Sequence, residues 1–273
     1  MIRCKPLLGT YVEIAIDDID SAISLEEKHH AIDQAFLTIA LVEKLMGFHS
    51  KDSELSKINA RSHLEMINIH QWTYQVLLAA KRIFQISDGV FDCGVGSLLV
   101  DAGLLPLHQE IAIEQYGGLS DIQLIAPHSV RSQIPLLLDL GGIAKGFAVD
   151  KAVEMLQVHG ITSGIVNAGG DLRTFGSKPK VIQVRSPHAP TQLLTIGSLK
   201  NGSIASTGAY FLDHLSTIVN PIPREHVQFT ESYSVIAPQC IYADALTKVL
   251  AITGNIHHPC FEQFSAQAIR VSA

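Results

Sequence analysis

The 273-residue chain is 47% hydrophobic and 17% charged, the proportions of a folded globule, which exclude a disordered or fibrous chain. A net charge of −6 without any block of like charge excludes the clustered Lys/Arg surface of a nucleic-acid binder. No apolar run reaches the ~20 residues that a membrane span requires. The N-terminus has no unbroken apolar region of signal-peptide type, so the expectation is a cytoplasmic protein without a membrane span. Cys4, Cys93, Cys240 and Cys260 are widely spaced, form no C-x-x-C pair and read as free reduced thiols.

Taken in chain order, "GTYVEIAI" (9–16) alternates as a strand does. A helix is expected from about Leu25 to Met46, where Ile32, Phe36, Ile39 and Met46 recur at helical steps. In "GFHSKDSELSKIN" (47–59), Asp52 or Ser53 is placed to cap a short helix. A second amphipathic helix is expected near 70–86, with Trp72, Val76, Ala80, Ile83 and Phe84 on one face. The glycine-rich stretch 87–103 reads as turns, and 106–135 as a polar, proline-containing region. From Lys145 to His159 a helix is expected, with Ala148, Ala152, Met155 and Leu156 on one side, and "GITSGIVNAGGDLRTFG" (160–176) reads as strand, glycine turn, strand. Short β pieces follow at 180–186, 193–198, 203–207, 216–220 and 233–237, and "YADALTKVLAI" (242–252) closes as a helix. The interleaving is that of an α+β fold with mixed or antiparallel sheets and packed helices, without an internal repeat or a domain boundary, so residues 1–273 are expected to form a single domain.

Two stretches carry chemistry. In "DLGGIAKG" (139–146), Gly141 and Gly142 let the backbone approach a ligand, and the following helix N-terminus with Lys145 favours an anion. The spacing fits neither a Walker A loop nor G-x-G-x-x-G, and a tight turn with a surface lysine remains the alternative. In "ADALTK" (243–248) a carboxylate and an ammonium stand four residues apart, on one helix face. "NAGGDLR" (167–173) is a hairpin signal followed by Asp171, and "ASTGAY" (205–210) offers two hydroxyls and a glycine.

The ordered series "LLGT", "SELSKIN", "SDGVFDCGVGSL", "LDLGGIAKGFAVDKA", "VNAGGDLRTFG", "IASTGAYF", "TIVNP" and "YADALTKVL", over roughly residues 7–252, resembles the ApbE family of flavin transferases. The resemblance implies a single α+β, T-fold-like domain. It also implies an FAD:protein FMN transferase, which moves FMN from FAD to a threonine of an acceptor protein and releases AMP. Leu8, Phe48, Val90, Phe91, Asp92, Asp139, Lys145 and Ile218 fall where the family contacts its cofactor. Mg²⁺ would be held by the Gly142 carbonyl, Asp244 and a helix hydroxyl such as Thr247, and Asp244 and Lys248 are the candidate catalytic pair.

Departures from the family pattern cluster toward the C-terminal half. Lys248 stands where the family usually has the metal-binding threonine, Thr217 to Arg224 replace H-I-I-D-P-R-T-G, and Ser206 to Tyr210 lack the acidic member of T-S-G-D-Y. Two readings of Lys248 follow. Its ammonium replaces part of the metal's charge and reaches the pyrophosphate, or it forms only a surface pair with Asp244, worth a few tenths of a kcal/mol. The alternatives to transfer are an FAD-binding protein with an altered metal site, or a pyrophosphatase that yields FMN and AMP.

Overall fold

A computed structural model describes residues 1–17, 23–108, 116–187, 189, 191–208 and 216–271. In chain order the elements are β1 (Ile2–Leu7), β2 (Thr10–Ile16), α1 (Leu25–Met46), α2 (Glu54–Arg61), β3 (Ile67–Asn68), α3 (Gln71–Ile86) and α4 (Gly96–Asp101). There follow β4 (Ile122–Ile125), β5 (Ser129–Ser132), α5 (Ala144–Val158), β6 (Gly164–Ala168), β7 (Asp171–Phe175), β8 (Lys180–Arg185) and β9 (Leu193–Leu199). The chain ends with β10 (Ser203–Gly208), β11 (Val219–Asn220), β12 (Glu225–His226), β13 (Ser232–Ala237), α6 (Cys240–Thr253), α7 (Cys260–Gln263) and β14 (Gln267–Val271). Among the described residues no helix is long and apolar enough to cross a membrane, and no disulfide joins the four cysteines, three of which are buried.

The chain packs as two compact units that interleave in sequence. The first comprises Met1–Leu41, Lys145–Phe211 and Phe229–Ala273, and the second Val42–Ala144 and Leu212–Gln228. The first unit is built on a seven-stranded sheet in the order β1-β2-β6-β7-β10-β13-β14, with every neighbouring pair antiparallel. Val12, Ile14, Val166 and Ala168 are fully buried, as the period-two alternation of their strands requires. Helix α6 lies on β7, β10 and β13. Ala243 packs against Ala205 and Ala237, so small side chains bring this helix close to the sheet.

The second unit holds α2, α3, α4 and a three-stranded antiparallel sheet in the order β3-β5-β4. Ser53 caps α2, its hydroxyl accepting the Ser56 amide at 3.1 Å. From α2 the buried Asn59 reaches across 79 residues. Its side-chain amide donates to the Leu138 carbonyl at 3.0 Å, and its carbonyl accepts the Leu138 amide at 2.8 Å. This pair of hydrogen bonds holds the segment that leads into "DLGG".

Helices α1, α3, α5 and α6 match their expected spans. The stretch 87–103 differs from the turn-only reading, because residues 96–101 form α4, a helix of 6 residues without a side-chain cap, too short to give a periodic signal. Likewise the polar region 106–135 contains β4 and β5, strands of 4 residues each. Ala209 and Tyr210 of "ASTGAY" lie outside the described residues.

Asn59→Leu removes two buried hydrogen bonds and strands both backbone groups of Leu138. We expect it to lower the unfolding free energy by about 2–4 kcal/mol, measured by urea unfolding against wild type.

Candidate functional site

In the first unit, four charged side chains meet. Lys145, in the first turn of α5, pairs its ammonium with Asp171 at the start of β7. Asp171 is delivered there by the β6–β7 turn, in which Gly169 and Gly170 adopt φ of 65° and 105°, a region that favours glycine. The Gly170 amide donates to Asn167 Oδ1 at 2.9 Å and closes that turn. Asp244 projects from α6 and is 0% exposed. Its Oδ2 accepts the Gly146 amide at 3.0 Å, and its Oδ1 receives the Lys248 ammonium at 2.5 Å. Lys248 Nζ also donates to the Asp244 carbonyl at 3.1 Å, and the Thr247 hydroxyl donates to the same carbonyl at 2.7 Å.

Helices α5 and α6 come together at Gly146, where a Cβ would lie 2.2 Å from the Cys240 carbonyl oxygen and 2.8 Å from Asp244 Cβ. The "KG" of "DLGGIAKG" is thus a lysine that reaches Asp171 followed by the residue that lets α6 in. Asp150, one turn further along α5, ties down the start of α6. Its carboxylate accepts the Cys240 and Ile241 amides, both at 2.9 Å, and pairs with Arg173 at 2.7 Å. These are orphan amides of a helix N-terminus, which a carboxylate satisfies well.

The charges interact strongly. Burial draws the Lys145 ammonium down, but Asp171 and Asp244 outweigh it and hold the lysine well above its ordinary range. Burial pushes the Asp171 carboxyl up; the lowering by Lys145 does not cancel it, and the Asp244 charge adds to it. Asp244 is also pushed up by burial, but Lys145, Lys248 and the Gly146 amide bring it below the usual carboxylate value. The Cys240 thiol is raised by burial and by the carboxylates around it, so it stays protonated. Leu8, also in this unit, occupies the β1–β2 turn with φ of 56°.

The other expected residues belong to the second unit. Phe91 is buried, and its amide donates to Ser87 Oγ at 3.1 Å. Asp92 Oδ1 accepts the Gly94 amide at 2.7 Å and the Leu119 amide at 3.0 Å, while burial raises its carboxyl. It therefore clasps the loop 92–94 to residues 118–119, with Val90 half-buried just before it. The Asp139 amide donates to the Cys93 carbonyl at 2.8 Å, so "FDCG" and "DLGG" run side by side. The Asp139 carboxylate accepts the Gly141 amide at 3.0 Å, and Gly142 is half-buried. Phe48 stacks on His108 at 6.0 Å, and Ile218 is buried ahead of the β11–β12 hairpin. From that hairpin Arg224 donates to Ser97 Oγ of α4 at 3.1 Å.

Asp171 and Asp150 are the residues that sequence reasoning did not assign. Asp171 carried a signal, a carboxylate directly after a glycine pair, whereas Asp150 has no distinguishing context.

Mg²⁺ takes oxygen ligands in a near-ideal octahedron, whereas both oxygens of the Asp244 carboxylate are already engaged, one of them by a cation. One oxygen carries an ammonium and the other a backbone amide, and the Thr247 hydroxyl is turned to its own helix. Among the described residues there is no group of three or more His, Cys, Asp or Glu side chains placed to hold a metal. The residues present do not fit the metal that the resemblance implies.

Residues 8–263 match the ApbE family, and the chain belongs to that family. It is 26% identical over 288 residues to the FAD:protein FMN transferase of Treponema pallidum, covering 92% of this chain and 78% of the relative. To the FAD:protein FMN transferase of Haemophilus influenzae it is 27% identical over 277 residues, covering 91% and 79% of the two chains. In fold it resembles the flavin transferase ApbE from Vibrio cholerae, with a TM-score of 0.84 at 24% identity over 100% of this chain and 94% of that one. The ApbE protein from Thermotoga maritima is similar, with a TM-score of 0.82 at 24% identity over 99% and 93%. The α+β fold expected from the sequence is the fold found.

The depressed Asp244 carboxyl sets a pH signature. A carboxylate held below its ordinary value stabilises the fold at pH above that value, and the stabilisation is lost as pH falls through the folded-state value. Asp244→Asn should cost about 3 kcal/mol at pH 7 by leaving Lys248 without its counter-charge. The gap to wild type should narrow once the pH drops below about 4, read from urea unfolding at stepped pH.

Proposed function

We propose that this protein is an FAD:protein FMN transferase, which moves FMN from FAD onto a threonine hydroxyl of an acceptor protein. The observation that carries the reading is the match to the ApbE family over residues 8–263. Curated relatives that share about a quarter of its residues over nine-tenths of its length all bear that activity in their names.

The threonine oxygen attacks the phosphorus on the FMN side of the diphosphate. A new P–O bond forms to threonine, the bond from that phosphorus to the bridging oxygen breaks, and AMP leaves with that oxygen while the hydroxyl proton passes to solvent. Such a displacement depends on in-line positioning and on compensation of the phosphate charge more than on covalent help from the enzyme. We assign that compensation to Lys145 and Lys248. Asp171 and Asp244 hold the two ammonium groups in place, and Asp150 fixes the helix that carries Asp244 and Lys248.

Incubation with FAD and a threonine-bearing acceptor should give a fluorescent acceptor band that survives SDS denaturation and is absent from the Thr→Ala acceptor. Lys145→Met should lower the transfer rate by about 10²-fold or more. FMN and AMP released without any labelled acceptor would replace transfer by hydrolysis.

A further inference from the structure

We propose that the Lys248 ammonium takes the place of a divalent cation at Asp244, so that the diphosphate of FAD is held without magnesium. The proposal rests on the flavin reading above and deepens it.

Asp244 is 0% exposed, and a carboxylate that far from water needs a counter-charge. Lys248 supplies it at 2.5 Å from the same helix, four residues on, so no other element has to move to bring the charge in. This excludes the surface-pair reading, in which both partners would be solvated. The second carboxylate oxygen is occupied by the Gly146 amide. That amide lies in the α5–α6 contact at Gly146, which is too close to admit even a Cβ. A divalent ion would therefore have to displace an ammonium from a charge-assisted bond to a fully buried carboxylate, the strong kind.

Charge counting agrees. Lys145 with Asp171 and Lys248 with Asp244 make two ion pairs that balance without any further cation. An ammonium has three N–H donors, and Lys248 uses two on the Asp244 carbonyl and carboxylate. Its side chain is 22% exposed, which leaves the remaining donor for a phosphate oxygen to accept.

The test uses the purified full chain. FAD affinity is measured by quenching of flavin fluorescence in EDTA and in Mg²⁺, and divalent-ion binding by Mn²⁺ electron paramagnetic resonance with and without FAD. For wild type we expect equal FAD affinity in the two buffers and no protein-bound Mn²⁺. Lys248→Thr should bind FAD about tenfold more weakly in EDTA, regain affinity in Mg²⁺ and acquire one bound Mn²⁺. Adding Asp244→Asn to Lys248→Thr should remove that ion. The proposal is overturned if wild type requires Mg²⁺ to bind FAD, or binds one Mn²⁺ that Asp244→Asn abolishes. The wild-type measurements decide this even if Lys248→Thr does not fold. No FAD binding in either buffer overturns the flavin reading itself, and the Mn²⁺ titration then decides separately whether Lys248 holds the cation position.

Discussion

The Asp244 carboxylate is the constraint on which the first unit turns. It is a charge placed where no water reaches it, so every atom around it has to answer that charge. One oxygen takes the amide of Gly146 in α5, and the other takes the ammonium of Lys248 in α6. This side chain is one of two that join the helices, and the close approach it accompanies leaves room only for a glycine at 146. Alanines on α6 and the strands beneath it serve the same end, since Ala205, Ala237 and Ala243 let the helix settle close to the sheet.

A second carboxylate does comparable work one turn away. Asp150 receives the first amides of α6 and the guanidinium of Arg173. The position of Asp244 is thus set twice, at the helix N-terminus by Asp150 and along its body by Gly146. Burial raises the Asp150 carboxyl despite these partners, whereas the two ammonium groups bring Asp244 down. The difference follows from the neighbours: Asp150 has one cation and two neutral amides, and Asp244 has two cations.

The long helices were legible because periodicity over 14 to 22 residues leaves little ambiguity. The short elements were not: β11 and β12 have 2 residues each and α4 has 6, too few for a periodic pattern to show. The same limit applies to the site. Lys145, Asp244 and Lys248 stood out through glycine spacing, helix phase and the family resemblance. The pairing of Lys145 with Asp171 spans 26 residues and that of Asp150 with Ile241 spans 91, and no local pattern encodes either. Helix phase placed Lys248 beside Asp244 but left open whether the pair was solvated. Burial settles that, and burial is a property of the assembled α5–α6 contact.

Buried ion pairs roughly break even in stability against apolar side chains of the same size, so a fold has no energetic need for two of them in one place. Their use lies in where they leave charge. Asp171 and Asp244 each hold a lysine whose side chain remains 32% and 22% exposed, so two ammonium groups are anchored by buried carboxylates on side chains that still reach solvent. A metal at Asp244 would concentrate two positive charges on an ion that dissociates. A lysine supplies one charge that cannot leave, and under the proposal above the affinity for an anionic ligand would not vary with the concentration of free metal.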